Sequence, residues 1–470
     1  MLLASACASV PNLGVKPLPA TAGTYASAQS LAGSQSSWPA DGWWKAYNDP
    51  QLDSLIGEGL AGSPDLAAAA ARFRIAQGLA QQAGAALLPG LDATASLDYQ
   101  NQSRNSAGPN GHVPTGWHAT GTTGLSLSFD LDLFGRNRAA LRAAKKDAEA
   151  ARYDTDEARL VLTTGIASTY ADLAALYAQR DSLQSALGIR QQTLKLVQQR
   201  FDAGIANQSE LEQAKARIPQ TNADLAATDE AIMLDKHALA ALAGAGPDRA
   251  SIIDRPSAAG LQAQGLPRDA SINLIGRRPD IAAARTRVEA ASERIGEARA
   301  AFYPNVNIAA LVGFQSLGLG SLFASGSKFA SVSPAVTLPL FHGGALQGQY
   351  RGRRGQYDEA VADYDSEVIQ ALRETADTVT SQKALVDRLV QSRSALASYE
   401  TALRLAQRRY ENGLSTYLDV LTAQESVVNA RLTVARLETR AFTLDVQLVR
   451  ALGGGFAVPD NSSAGGFRAG

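Results

Sequence analysis

Hydrophobic positions along this chain switch between two periods, and they do so twice in the same order. Leu91, Ala93, Ala95, Leu97 and Tyr99 alternate with Asp92, Thr94, Ser96 and Asp98. Leu125, Leu127, Phe129, Leu131 and Leu133 alternate with Ser126, Ser128, Asp130 and Asp132. A period of two predicts strands with one apolar and one polar face. In the second half, Val306, Ile308, Ala310, Val312 and Phe314 fall on one face of a strand. Val332, Pro334, Val336, Leu338 and Leu340 do the same in the next. Pro334 and Pro339 lie inside that last strand, where a missing N–H predicts a local irregularity. Residues Asn101 to Ala119 and Gln315 to Phe329 are rich in Gly, Ser and Asn and read as exposed loops.

After each strand pair the period lengthens. No Pro occurs between Arg136 and Asp202, and Leu173, Leu176, Leu183, Leu187, Leu194, Val197 and Phe201 recur at spacings of three, four and seven. In the second half Leu372, Val379 and Val386, then Leu389, Leu396, Leu403 and Tyr410, are seven apart. That is a coiled-coil seam. At 1.5 Å per residue the first helix reaches about 100 Å, longer than one globular domain needs. Each long helix stops at a glycine, Gly204 or Gly413, the residue expected where a helix ends and the chain reverses. Returning helices are predicted from Glu210 to Leu242 and from Asp419 to Leu452. Shorter helices, Pro64 to Leu87 and Pro279 to Ala301, open on Pro and an acidic residue, as helix N-termini do.

The whole plan is therefore written twice, and repeats decide an architecture before single elements do. Pro64-Asp65-Leu66 returns as Pro279-Asp280-Ile281, Leu88-Pro89 as Tyr303-Pro304, and Leu131 to Phe134 as Leu338 to Phe341. Arg200-Phe201-Asp202-Ala203-Gly204-Ile205 returns as Arg409-Tyr410-Glu411-Asn412-Gly413-Leu414. We divide the chain into a leader remnant and tether (1–37), a first repeat (38–243), a linker (244–270), a second repeat (271–452) and a disordered tail (453–470).

Strands of about 10 residues cross a bilayer when tilted. A small sheet packed on helices is the rival reading, but these helices are far too long to cover such a sheet compactly. Four strands do not close a membrane barrel, which takes about eight or more, and open sheet edges in lipid leave backbone groups unpaired. If the strands span a membrane, several chains must share one barrel.

Composition removes other classes. Lys+Arg number 44 and Asp+Glu 45, so no net field favours nucleic acid. The four His and one Cys show no metal-site spacing, and one Cys forms no disulfide within the chain. No phosphate loop, Ser/His/Asp arrangement or pair of acids in a plausible cleft points to an enzyme or a cofactor. No run of about 18 apolar residues predicts a membrane-spanning helix. Met1 to Cys7 resembles the end of a bacterial lipoprotein leader without its basic and most of its apolar region, which predicts a late or trimmed start. Lipid attachment is expected at Cys7, which would anchor the chain to a leaflet.

Taken in order, several motifs resemble the outer-membrane factor family, the TolC-like efflux channels, in its OprM/NodT-type lipoprotein branch. They are Trp43-Trp44 with Asp49-Pro50-Gln51-Leu52; Arg277-Arg278-Pro279-Asp280-Ile281; Ala300-Ala301-Phe302-Tyr303-Pro304; Leu338-Pro339-Leu340-Phe341 with Gly343-Gly344; and Arg409-Tyr410, Gly413-Leu414 and Asp419-Val420-Leu421 with Ala423-Gln424. The resemblance implies a mainly α protein with a membrane β-barrel. Four strands per chain would contribute to a 12-stranded barrel in the outer membrane of a Gram-negative bacterium. Long helices would form a coiled-coil barrel through the periplasm. It implies a homotrimer, no catalysis, and a passive exit duct for small molecules. An inner-membrane pump of the RND type would feed it through a periplasmic adaptor. Protein secretion or metal efflux on the same fold, and a poreless coiled-coil scaffold lipoprotein, are the alternatives.

The same resemblance places the two turns at the periplasmic end, with Gly204, Ile205, Gly413 and Leu414 as the adaptor-docking rim. It places Tyr410, Asp419 and its counterpart Glu210 at a periplasmic gate. Three copies of Asp419 around an axis would form a ring that favours cations. An acid favoured by the helix dipole explains Asp419 equally well, and helix capping explains the glycines. Ser415 stands where some members carry Arg. Arg351, Arg353 and Arg354 read as a solvated helix start near lipid headgroups.

Overall fold

A computed structural model of the chain describes residues 9–21, 24–27, 29–31, 35–101, 103, 116–256, 266–267 and 276–457. Cys7 lies outside them, as does most of the first predicted loop. The chain falls into two compact units. One comprises Met1–Pro19, Arg72–Ala151 and Ala284–Tyr364; the other comprises Ala20–Ala71, Arg152–Ala283 and Asp365–Gly470.

The first unit holds a four-stranded antiparallel sheet of β1 (Gly90–Asn101), β2 (Trp117–Asp130), β3 (Asn305–Leu317) and β4 (Lys328–Thr337), in that spatial order. Leu125 pairs with Ala93 on one side and Val312 on the other, so the predicted apolar faces line up across the sheet. That face is left open: Leu91 is 65% exposed, Val312 55% and Val332 73%. Exposed apolar area on this scale needs a partner or a membrane. On the polar face Gly124 pairs with Gly313, and a Cβ on Gly313 would fall 2.2 Å from the Thr123 carbonyl oxygen. Only glycine permits that approach, as expected where a sheet is bent sharply. The outer strands β1 and β4 each have one unpaired edge.

Three sequence expectations about the strands need correction. The strands run into the segments read as loops, because Trp117–Ala119, Gln315–Leu317 and Lys328–Phe329 belong to ladders. β2 stops at Asp130 and β4 at Thr337, so Leu131, Leu133, Leu338 and Leu340 lie beyond the ladder. Pro334 causes no register break. It pairs opposite Ile308 in an edge strand, where a missing N–H costs little, and Pro339 lies past the strand end.

Besides the strands, the described residues form seven α-helices: α1 (Pro50–Gly62), α2 (Pro64–Ala85), α3 (Arg136–Asp202), α4 (Gln208–Leu242), α5 (Pro279–Ala300), α6 (Ala345–Glu411) and α7 (Tyr417–Ala451). The order helix, two strands, long helix, shorter helix thus occurs twice. α3 and α6 each have 67 residues, and α4 and α7 each have 35. In the first unit, α3 and α5 lie together through buried alanines (Ala139, Ala143, Ala290, Ala298) and through Arg142–Glu293 and Lys146–Glu289 pairs at 2.8 and 2.9 Å. Small side chains at these positions allow the two helices to approach closely. One 18-residue stretch of α3 reaches a mean hydropathy of 1.2, but 56% of it is buried within the fold. The α6 seam departs from its prediction at Val386, which is 64% exposed while Leu385 is buried. A straight helix drifts against a strict seven-residue repeat.

The second unit has the largest core. Trp43, Trp44, Tyr47, Leu52, Leu55 and Ile56 pack with Ile166, Leu173, Leu239, Ile253 and Phe442. The motif Asp49-Pro50-Gln51-Leu52 starts α1, a helix not expected from the pattern. The Asp49 carboxylate accepts the backbone N–H groups of Gln51 and Leu52 as N-cap, and its other oxygen accepts the Tyr170 hydroxyl at 2.7 Å. Arg278 of the second motif is buried, bonded to Asp280, Glu374 (2.9 Å) and the Ala451 carbonyl. Within the segment read as linker, Pro247–Ile252 forms a 3-10 helix and Ile253 enters the core. Residues 453–456, expected in the tail, are instead packed on the second unit. Gly453 sits at φ +85° against Arg277, where a Cβ would fall 1.8 Å from a carbonyl oxygen, and Phe456 packs edge-on to Tyr153 at 5.7 Å.

Candidate functional site: the turn ends of the helical hairpins

The predicted docking and gate residues come together where α3 turns into α4 and α6 into α7, within the second unit. The two turns are built alike. Gly204 and Gly413 both have φ +72°. The Ile205 N–H bonds the Arg200 carbonyl at 2.8 Å, and the Leu414 N–H bonds the Arg409 carbonyl at 2.7 Å. Nested inside these bonds, the Gly204 and Gly413 N–H groups donate to the carbonyls of Phe201 and Tyr410, one residue nearer the turn. This is the Schellman closure, which satisfies carbonyls that the helix end would leave free and needs a left-handed residue. It leaves Ile205 65% and Leu414 68% exposed, with Leu418 beside them at 64%. Such apolar tips are left uncovered among the described residues.

Behind the tips Val197, Leu211, Ala214, Tyr410, Tyr417, Val420 and Leu421 form a small core. Tyr410 is its centre, at 2% exposure. Its hydroxyl donates to Glu210 Oε2 at 3.1 Å. The Arg200 guanidinium lies 4.5 Å from its ring centroid, and Nη1 donates to the Tyr410 carbonyl at 2.7 Å. Burial, then the bond to the Glu210 carboxylate, push the Tyr410 hydroxyl up to about 12, against a weaker opposing pull from Arg200. Arg200 Nε is buried with no hydrogen-bond partner among the described residues, so this cation is held at some cost. Glu210 has two roles: its N–H is capped by Asn207 Oδ1 at 2.9 Å while its carboxylate reaches across to Tyr410.

Asp419 is arranged differently. Its Oδ2 accepts the Thr416 N–H at 2.9 Å and the Thr416 hydroxyl at 3.0 Å, closing a capping box on its own helix. Asp419 is exposed and does not meet Tyr410 or Glu210 in hydrogen bonds. Ser415 donates to the Ala406 carbonyl at 3.5 Å, within its own hairpin.

One layer further in lies a polar group that pattern reading missed. Arg190 is 8% exposed and donates to Thr221, to the Arg217 carbonyl at 3.4 Å and to Glu425 Oε1 at 3.1 Å. Arg217 pairs with the same Glu425 oxygen at 3.3 Å, and Gln424 donates to Thr193. α3, α4 and α7 are thus joined by one buried network. The sequence does carry a signal for it. Arg190 lies seven residues from both Leu183 and Val197, a charge inside an apolar seam. In the first unit, Arg354 of the basic cluster is not simply solvated: it donates to the Val15 carbonyl at 2.6 Å, and the Tyr357 hydroxyl to the Pro17 carbonyl at 2.9 Å, pinning the N-terminal segment.

The family model described as outer membrane efflux protein matches this chain twice, over residues 55–245 and 272–454. The chain belongs to the outer membrane efflux protein family. The multidrug resistance outer membrane protein MdtP of Escherichia coli strain K12 is 32% identical over 428 residues, covering 90% of this chain and 88% of MdtP. The pyoverdine export outer membrane protein OpmQ of Pseudomonas aeruginosa is 29% identical, over 97% of this chain and 96% of its own length. Among solved structures, the outer membrane protein VceC of Vibrio cholerae superposes with a TM-score of 0.84 at 43% identity, covering 89% of this chain and all of VceC. The two family matches fall on the two halves that share an element order.

Proposed function

We propose that the chain is the outer-membrane exit duct of a three-part efflux system, acting as a homotrimer without catalysis. Three four-stranded sheets form one 12-stranded barrel, and the paired long helices form a tunnel in the periplasm. An inner-membrane pump of the RND type delivers small molecules through a periplasmic adaptor. The observation that carries this reading is the sheet. It has two free edges and an apolar face open to its surroundings. Alone it satisfies neither lipid nor water; three copies in a ring satisfy lipid on the apolar face and pair every edge. Cyclic symmetry is the ordinary way to close such a ring. Lipid attached at Cys7 would hold the chain to the membrane near the segment pinned by Arg354.

The tips Gly204, Ile205, Gly413 and Leu414 serve as the docking rim for the adaptor. Their exposed apolar side chains support this. Tyr410 with Glu210 forms the gate bond between hairpins, and Asp419 of three chains forms a cation-favouring ring. The test is planar-bilayer conductance with heat-modified electrophoresis of the purified protein. Discrete channels from a heat-dissociable trimer are expected; a monomer without conductance would end the proposal.

A further inference from the structure

A cavity of about 740 Å³ opens on the apolar face of the sheet, lined by Thr123, Leu125, Val312, Phe314, Phe323 and Lys328 among others. Its size is that of a ligand pocket, about 300–1,000 Å³. The ladders set Leu125 beside Val312, Thr123 beside Phe314, and Phe314 beside Lys328, so these side chains share the apolar face. The loop after β3 folds back over that face. Leu319 and Leu322 lie over Gly121, where an added Cβ would meet Leu319 at 3.1 Å. Phe323 stands edge-on to Phe314 at 5.5 Å yet is 73% exposed, so it overhangs the groove rather than filling it.

Lys328 is at the rim, and its side-chain ammonium makes no hydrogen bond or ion pair among the described residues. It begins β4, whose other end, Thr337, leads into α6. Lys328 is therefore at the sheet end remote from the helices. Tyr99 and Trp117 mark the same end: they stack at 5.5 Å and are 68% and 61% exposed, as aromatics at a membrane–water boundary do. An apolar groove with one unpaired cation at its polar rim is complementary to an acyl chain carrying a phosphate.

We propose that this groove binds the phosphorylated glycolipid of the outer leaflet, lipid A, one molecule per chain, its acyl chain under Phe323 and a phosphate on Lys328. The assignment rests on the barrel reading above, which puts the remote sheet end in the outer leaflet. The test is native mass spectrometry of detergent-extracted trimers titrated with lipid A, with dephosphorylated lipid A and with phosphatidylglycerol. Three retained lipid A molecules per trimer are expected. Lys328→Gln should weaken retention of lipid A about fivefold, the worth of one interfacial cation, and leave the dephosphorylated form unaffected. Phe323→Ser should weaken both forms. Retention unchanged in both variants, or phosphatidylglycerol held as tightly as lipid A, would overturn the assignment. Conductance of the same preparations separates the two ideas: conducting trimers that retain no lipid A sink the groove and spare the channel.

Discussion

The two hairpin turns have equivalent sequences and nearly equivalent backbones, but they use their charged side chains in opposite ways. Arg409 donates to the Leu414 carbonyl of its own turn at 3.4 Å, and Asp419 caps its own helix. Their counterparts reach outward. Arg200 donates to the Tyr410 carbonyl, and Glu210 accepts the Tyr410 hydroxyl. The second hairpin is self-contained at its tip, and the first one holds it. The Glu210 part of the difference follows from one substitution within the repeat. Tyr410 stands where the first half has Phe201, and the added hydroxyl gives Glu210 something to bind. Equivalent motif positions therefore do not predict equivalent roles.

The largest expected effect tests whether both tips meet the adaptor. Leu414→Asp and Ile205→Asp replace exposed apolar tips without touching the buried core. Each should abolish pump-dependent drug resistance while the trimer still migrates as a trimer. Loss with one variant alone would confine docking to that turn, and full resistance with both would remove the docking role.

Next in size is the buried network that lets one hairpin lean on the other. Glu425→Ala leaves Arg190 buried beside Arg217 with no acid. Losing one member of a fully buried pair costs about 3–5 kcal/mol. Glu425 is about a third exposed, so about 2–3 kcal/mol is expected after solvent screening. Urea unfolding should show it, and Arg190→Met in the same chain should recover most of the loss. An unchanged midpoint would mean that Arg190 is solvated and that the hairpins are coupled only at Tyr410.

Much of this was legible in the chain, and the failures have physical causes. The extent of α3 is legible because no Pro interrupts it and Gly204 ends it. The strand faces were right because alternation sets which side is apolar. Strand ends were not, since pairing runs on while the pattern fades into Gly and Ser at Trp117–Ala119 and Gln315–Leu317. α1 was missed because thirteen residues containing three glycines carry a weak period; the Asp49-Pro50 cap was the available clue. At the site, Tyr410 and Glu210 were named but not as partners. Arg200 enters the sequence reading only as part of the repeated turn, and Arg190 and Glu425 not at all: the charge at Arg190 in the seam was the available clue, but which residue on another helix pairs with it leaves no mark in local spacing.

The Tyr410 hydroxyl gives the third effect. Tyr410→Phe removes the bond to a carboxylate, worth about 1 kcal/mol here, and should raise channel conductance by loosening the second hairpin. The pH dependence has a definite sign. The folded-state value is raised to about 12 from 10.0, so the protonated form stabilises the fold. That contribution is complete below pH 10 and is lost as pH rises through 12. Stability should therefore fall between pH 10 and 12 in the parent and fall less steeply in Tyr410→Phe, where the raised Tyr357 and Tyr417 hydroxyls still titrate. Matching curves for both would mean that the hydroxyl is free.

The smallest effect separates the two possible duties of Asp419. Its cap needs an acceptor oxygen; a cation-favouring ring needs a charge. Asp419→Asn keeps the acceptor and removes the charge, whereas Asp419→Ala removes both. The cap is worth about 0.5–1 kcal/mol, so Asp419→Ala should lose about that much stability and Asp419→Asn much less. Cation over anion preference, read from reversal potentials across a salt gradient, should drop equally in the two. If preference is unchanged in both while stability falls only in Asp419→Ala, Asp419 is a helix cap and nothing more. The asymmetry between the turns would then lie wholly on the first hairpin, in Arg200 and Glu210.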